Sequence, residues 1–116
     1  MRVSIFNETK NKQVLDSVIY ATSFFDRLKG LIPYDGLLKN EGMFLFNCTS
    51  IHTFFMSFAI DCYFLDKENR VLKIANNLKP YRFFIGPFLD VKHVLEVASL
   101  SEHSLDIDKG DILRVD

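Results

Sequence analysis

DCYFLDKENRVLKIA, residues 61–75, is two apolar runs, 61–65 and 70–75, parted by the four polar residues Asp66, Lys67, Glu68 and Asn69. Each run is too short for a helix and is rich in aromatic and branched side chains, which fit a pleated surface. Asp and Asn both tolerate the backbone of a tight turn, and Asp66 can accept hydrogen bonds from the turn it opens. The stretch therefore predicts two strands joined by a four-residue hairpin turn.

Working outward, residues 43–46 and 50–56 read as two further strands, the second hairpinned to 61–65 through a loop at 57–60, so that an antiparallel meander is expected. In that register Met56 faces Asp61 and His52 faces Leu65, on one side of the sheet. Residues 93–98 form another strand, and Lys109-Gly110-Asp111 turns the chain into a last one at 112–115. At the other end Val3 and Ile5, then Val14, Val18 and Tyr20, bracket the polar turn 7–13 as a hairpin.

Two stretches read as helical. Ser23 and Asp26 have capping-box spacing and Gly30 supplies a left-handed stop, which predicts a short helix at 24–29, and residues 99–105 suit a helical turn or two. Pro33, Gly36, Asn40 and Gly42 make 33–42 a loop. Pro80, Gly86 and Pro87 keep the apolar segment 79–90 out of a central strand, so it is expected to wrap over the core. The whole, residues 1–116, reads as a single domain, mainly β, with an antiparallel barrel-like or sandwich fold and one or two short helices.

Composition supports this. Apolar residues make up 48% and charged residues 25%, ordinary for a folded globule, and twelve Phe with no Trp bias the core toward flat rings on pleated faces. A net charge of -1 gives no field to gather polyanions, so no nucleic-acid partner is expected. Residues 43–65 carry Asp61 as their one formal charge, but Asn47, Thr49, Ser50, His52, Thr53 and Ser57 would be costly in hydrocarbon, so no membrane span is expected. Cys48 and Cys62 match neither a redox pair nor a disulfide scaffold, and the N-terminal apolar run is too short for a signal peptide. A cytoplasmic protein with reduced thiols is the expectation.

The block Cys48-Thr49-Ser50-Ile51-His52-Thr53-Phe54-Phe55-Met56-Ser57-Phe58-Ala59-Ile60-Asp61 resembles the domain of unknown function family 192. So do Phe64-Leu65-Asp66, Arg70-Val71, Leu78-Lys79-Pro80, Val94-Leu95-Glu96 and Lys109-Gly110-Asp111, with Arg27, Gly30-Leu31 and Gly42-Met43 upstream. The resemblance spans nearly the whole chain and implies a mainly β fold, while carrying no reaction, cofactor or catalytic set. Ala59 stands where relatives have Pro, Ile32-Pro33-Tyr34 replaces a more basic stretch, and Val97-Ala98-Ser99-Leu100 replaces a glycine-bearing turn.

The candidate site residues are His52, Met56, Asp61, Arg27 and Glu96. His52, Met56 and Asp61 share a face in the expected register, giving an aromatic cleft with a few polar groups, the usual make-up of a small-ligand site. His52 and Asp61 lie about four strand steps of ~3.4 Å apart, too far for a direct dyad. Arg27 and Glu96 are landmarks of the resemblance; an internal ion pair is the simplest role for them, and a guanidinium on the cleft would instead bind carboxylates. His52, His93 and His103 have no metal-site spacing, and no glycine-rich phosphate loop or nucleophile elbow is present, so no metal or cofactor is expected.

These residues point to a non-enzymatic binding or accessory module for a small molecule or peptide. One alternative is a hydrolase using His52 as base with Asp61 or Glu96. The other is a protein-interaction domain working through a strand edge or the segment 83–88, with Phe83, Phe84 and Phe88.

Overall fold

The computed structural model describes residues 1–23, 36–53, 56–81, 86–99 and 105–116. Seven strands run in chain order: β1 (Arg2–Asn7), β2 (Lys12–Ala21), β3 (Glu41–Leu45), β4 (Ile60–Leu65), β5 (Val71–Leu78), β6 (His93–Ala98) and β7 (Leu113–Val115). They form one sheet in the order β5-β4-β6-β3-β2-β1-β7. Neighbours are antiparallel except β2 and β3, which run parallel from Ser17 opposite Glu41 to Ala21 opposite Leu45.

The sheet curls until its edges meet at one end. Arg70, just before β5, bridges Ile112, just before β7, and backbone bonds run from Val71 to the Asp111 carbonyl and from Leu113 to the Asn69 carbonyl. The lacing is one bridge long, so the fold is mainly β and barrel-like without a continuous closing ladder. The concave face carries one core of Ile5, Leu15, Val18, Phe44, Tyr63, Leu65, Val71, Leu95, Val97 and Leu113, drawn from all seven strands and joined by Ile107.

The convex face carries a second core. Met43 and Leu45 of β3, Ile60, Cys62 and Phe64 of β4, and Val94 of β6 alternate with the concave set and pack under Ile51, Met56 and Val91. This explains why β4 and β6 read as almost unbroken apolar runs: both faces are buried, as in a two-sided central strand. The cover consists of residues 47–53 and 56–59 together with 79–81 and 86–92. The two parts are joined by Tyr81 donating to the Thr53 carbonyl at 2.7 Å, Phe88 to the Thr49 carbonyl at 3.2 Å, and the Thr53 hydroxyl to the Lys79 carbonyl at 2.8 Å.

The β4–β5 hairpin forms as its sequence predicts. The Asp66 carboxylate accepts Glu68 N–H at 2.8 Å and Arg70 N–H at 3.0 Å, and Asn69 takes a φ of 63°. The N-terminal hairpin, the strand at 93–98 and the turn at 109–111 also match.

Two expectations need correcting, and a third falls outside the described residues. Ser50, His52, Thr53 and Met56 belong to no strand, and β6 rather than 50–56 fills the β4 edge, so there is no hairpin at 57–60 and no simple meander. The apolar content of that segment serves the cover, whose polar groups bond to 79–81 instead of to a strand ladder. The loop at 33–42 stops short of Glu41 and Gly42, which are already in β3 through the parallel pairing with β2. The helices expected at 24–29 and within 99–105 fall on or largely on residues outside the described set, and no described residue is helical.

Candidate functional site

Glu96 is the fourth residue of β6, set between two neighbours on the convex face: Met43 of β3 on one side and Cys62 of β4 on the other. Paired residues share a face, so its carboxyl enters the apolar layer under the cover. The residue is 3% exposed, and Oε1 has no hydrogen-bond partner among the described residues. Burial pushes the carboxyl from its ordinary 4.5 up to about 8. At neutral pH the group is therefore mostly a neutral acid, because ionising it in an apolar layer without a partner costs more than keeping the proton.

One of the other predicted residues shares this face. Met56 is buried in the same cluster as Met43 and Cys62, and Cys48 packs against that cluster from the cover. His52 sits on the cover, half-buried between the buried Ile51 and Thr53. Arg27 lies outside the described residues.

Asp61 does not join them. It pairs with Val97, one step from Cys62 opposite Glu96, and so points to the other face. There its Oδ1 accepts the Asn77 N–H at 2.7 Å, holding Asn77 at a φ of 54° where β5 is shifted in register. The expected sharing of a face by Met56 and Asp61 fails for a simple reason: 50–56 is not the neighbour of β4, so the assumed register does not exist. Asp61 and Glu96 accordingly form no facing carboxylate pair.

Neither cysteine is in a disulfide. Cys48 donates to the Ser50 carbonyl at 2.9 Å. Burial pushes the Cys62 thiol far above its usual range, and the nearby Glu96 and Asp61 charges push the same way, so Cys62 is a core thiol without nucleophilic character.

Two polar arrangements went unread in the sequence. His93 Nδ1 accepts the Asn47 N–H at 2.9 Å while the ring stacks on Phe46 at 4.8 Å; burial, and then the Lys92 charge, lower its pKa. Asn7, wholly buried at the end of β1, donates to Asp111 at 2.8 Å and to the Asp106 carbonyl at 3.0 Å, and Lys10 pairs with Asp106, Asp108 and Asp111. That acidic group is a clasp between the first hairpin and the chain entering β7. The one signal available was the polar Asn7 at a position where alternation calls for a core residue.

An open cleft of about 470 Å³ lies at the far end of the β4–β5 hairpin, lined by Asp66, Lys67, Leu72, Asp90, Val91 and Lys92. Leu65 opposite His93 is three residues along the ladder from Cys62 opposite Glu96, roughly 10 Å, so the cleft and the buried acid are separate features. In the segment 83–88, Phe88 turns inward onto Phe64 with ring centroids 5.0 Å apart, and among the described residues on either side of it Tyr81 and Leu89 are exposed. Among the described residues, no helix is long and apolar enough to cross a membrane.

A curled seven-stranded sheet with one covered convex face and a buried acid beneath the cover defines a mainly β domain of a recurring kind. The chain belongs to the domain of unknown function family 192 (DUF192), described as an uncharacterized ACR, whose model matches residues 5–115. It is 33% identical over 113 residues to a UPF0127 protein of Pyrococcus horikoshii, covering 95% of this chain and 96% of that protein. Two solved structures share the fold at a TM-score of 0.81. One, from Novosphingobium aromaticivorans, is a protein of unknown function, 23% identical, with 98% of this chain and 84% of that chain covered. The other, from Sinorhizobium meliloti and provisionally described as a transcription regulator, is 22% identical, with 98% and 92% covered.

Proposed function

We propose that the protein is a non-enzymatic binding module that takes a small molecule or peptide beneath the cover of the convex face. Glu96 is the polar recognition group, Met43, Met56 and Cys62 form its apolar surround, and His52 stands on the cover. Arg27 belongs to this reading through the sequence alone, and Asp61 has no part in it. The domain works in the cytoplasm, a setting that suits its two unbridged cysteines.

The observation that carries the reading is the Glu96 Oε1 atom, buried and without a hydrogen-bond partner among the described residues. Folded proteins leave few buried polar atoms unsatisfied, since each costs ~1–3 kcal/mol, and a ligand that supplies the missing partner accounts for one that is kept. Met43 beside it and Met56 in the same buried cluster are flexible and polarizable, and adapt to an irregular guest.

The test is a thermal-shift screen of a metabolite and short-peptide panel on the wild type, Glu96→Leu and His52→Ala. A ligand that binds the native state raises its melting temperature. At least one compound is expected to stabilise the wild type and to do so much less in Glu96→Leu. If Glu96→Leu keeps every shift that the wild type displays, the reading is wrong.

A further inference from the structure

Resting on Glu96 as the recognition group, we infer that the ligand is an organic cation, a guanidinium or ammonium head on an apolar body. An ionised carboxylate only accepts hydrogen bonds, and what Glu96 Oε1 lacks among the described residues is a donor. A cation supplies that donor and cancels the charge as well, which a neutral amide or hydroxyl cannot do. Charge-assisted pairs of this type are roughly twice as strong as neutral ones, and a fork of guanidinium donors matches both carboxylate oxygens.

The surroundings favour the same class. No described cation draws the Glu96 carboxyl back toward its ordinary range. Met43, Met56, Ile60, Cys62 and Val94 make the rest of the layer apolar, so the body of the ligand is hydrocarbon. A glutamine would serve a neutral guest at a lower burial cost, and the acid is explained by a charge to be matched.

Binding then moves one proton. In the free protein at neutral pH that proton sits on Glu96; when the cation docks, it passes to solvent and the carboxylate–cation pair forms, with no other bond made or broken. Affinity therefore rises by close to tenfold per pH unit until the free acid ionises, and levels off above that point. The described titratable groups on this face include Cys62 on β4, Lys73 on β5, which pairs with Phe64 and holds its Nζ 5.3 Å from the Phe88 ring centre, and Cys48 on the cover, where His52 also stands. The Cys62 thiol stays protonated throughout this range.

The probes are n-butylguanidinium and its neutral isostere n-butylurea, titrated calorimetrically into the full chain at about pH 6, 7, 8 and 9. The wild type is expected to bind butylguanidinium at least about tenfold more tightly than butylurea, with affinity rising toward pH 8 and proton release read from buffers of different ionisation enthalpy. Glu96→Gln should lose the preference and the pH dependence. Equal or tighter binding of butylurea, lost in Glu96→Gln, overturns the cation inference and leaves Glu96 as a neutral-ligand site. Binding by neither probe overturns the inference too, and binding unchanged in Glu96→Gln removes the Glu96 site with it.

Discussion

Asp61 and Glu96 stand one register step apart on neighbouring strands and point to opposite faces of the sheet, Asp61 opposite Val97 and Glu96 opposite Cys62. Nearness in the ladder thus separates them chemically. Asp61 accepts the Asn77 N–H and keeps an ordinary structural task, while Glu96 sits in the apolar layer with its acid pushed up to about 8. The difference makes them separable by experiment.

Glu96 makes stability depend on pH in an unusual direction for a carboxyl. Its pKa is higher folded than unfolded, so between about 4.5 and about 8 the native state holds more protons than the unfolded chain. Stability is full below that window and falls as pH rises through it, by up to about 1.4 kcal/mol per pH unit. Urea unfolding of Glu96→Gln should lack this fall and exceed the wild type at about pH 8. Parallel pH profiles for the two proteins would show that Glu96 is ionised or solvated in the native state.

For Asp61 the expected loss is local. Asp61→Ala leaves the Asn77 amide without its acceptor in a left-handed turn and should cost about 1 kcal/mol, measured as a lower urea midpoint. Because its side chain is on the other face, ligand shifts seen with the wild type should persist in the variant. Their disappearance would place Asp61 in the site after all.

The parts of the fold written in adjacent residues could be read directly. Asp66 and Asn69 specify their own turn, and Glu96 stands out as a charge inside HVLEVA. Insertion of β6 between β3 and β4 depends on pairing across about 30 residues of chain to β4 and about 50 to β3, and β4 and β6 are each apolar on both faces, so no alternation marked which edge met which. The segment 50–56 misled because apolar residues that cover a sheet and those that belong to one have similar composition. Grouping Asp61 with His52 and Met56 followed from that single wrong register.

Gly42 of β3 lies tight against the backbone of β6. A Cβ there would lie 2.8 Å from the Glu96 carbonyl oxygen and 3.1 Å from Val97 Cγ1. The carbonyl belongs to the backbone of a central strand and has nowhere to go. Gly42→Ala should destabilise by ~1–3 kcal/mol in urea unfolding and, by spreading β3 from β6, disturb the setting of Glu96. An unchanged midpoint would mean that the two strands are further apart than described.

His93 acts in the opposite sense to Glu96. Its imidazole has a lower pKa folded than unfolded because burial and the Lys92 charge disfavour the cation, and Nδ1 must stay unprotonated to accept the Asn47 N–H at 2.9 Å. Below its ordinary 6.5 the unfolded chain takes up a proton that the native state refuses, so this contribution is present at neutral pH and is lost as pH falls. His93→Leu removes the hydrogen bond, at a cost of about 1 kcal/mol near pH 7, and removes the proton linkage with it. The stability gap between wild type and variant should therefore narrow from about pH 7 to about pH 5 in paired urea titrations. If it stays constant, protonation leaves the Asn47 contact intact and the burial assigned to the ring is too great.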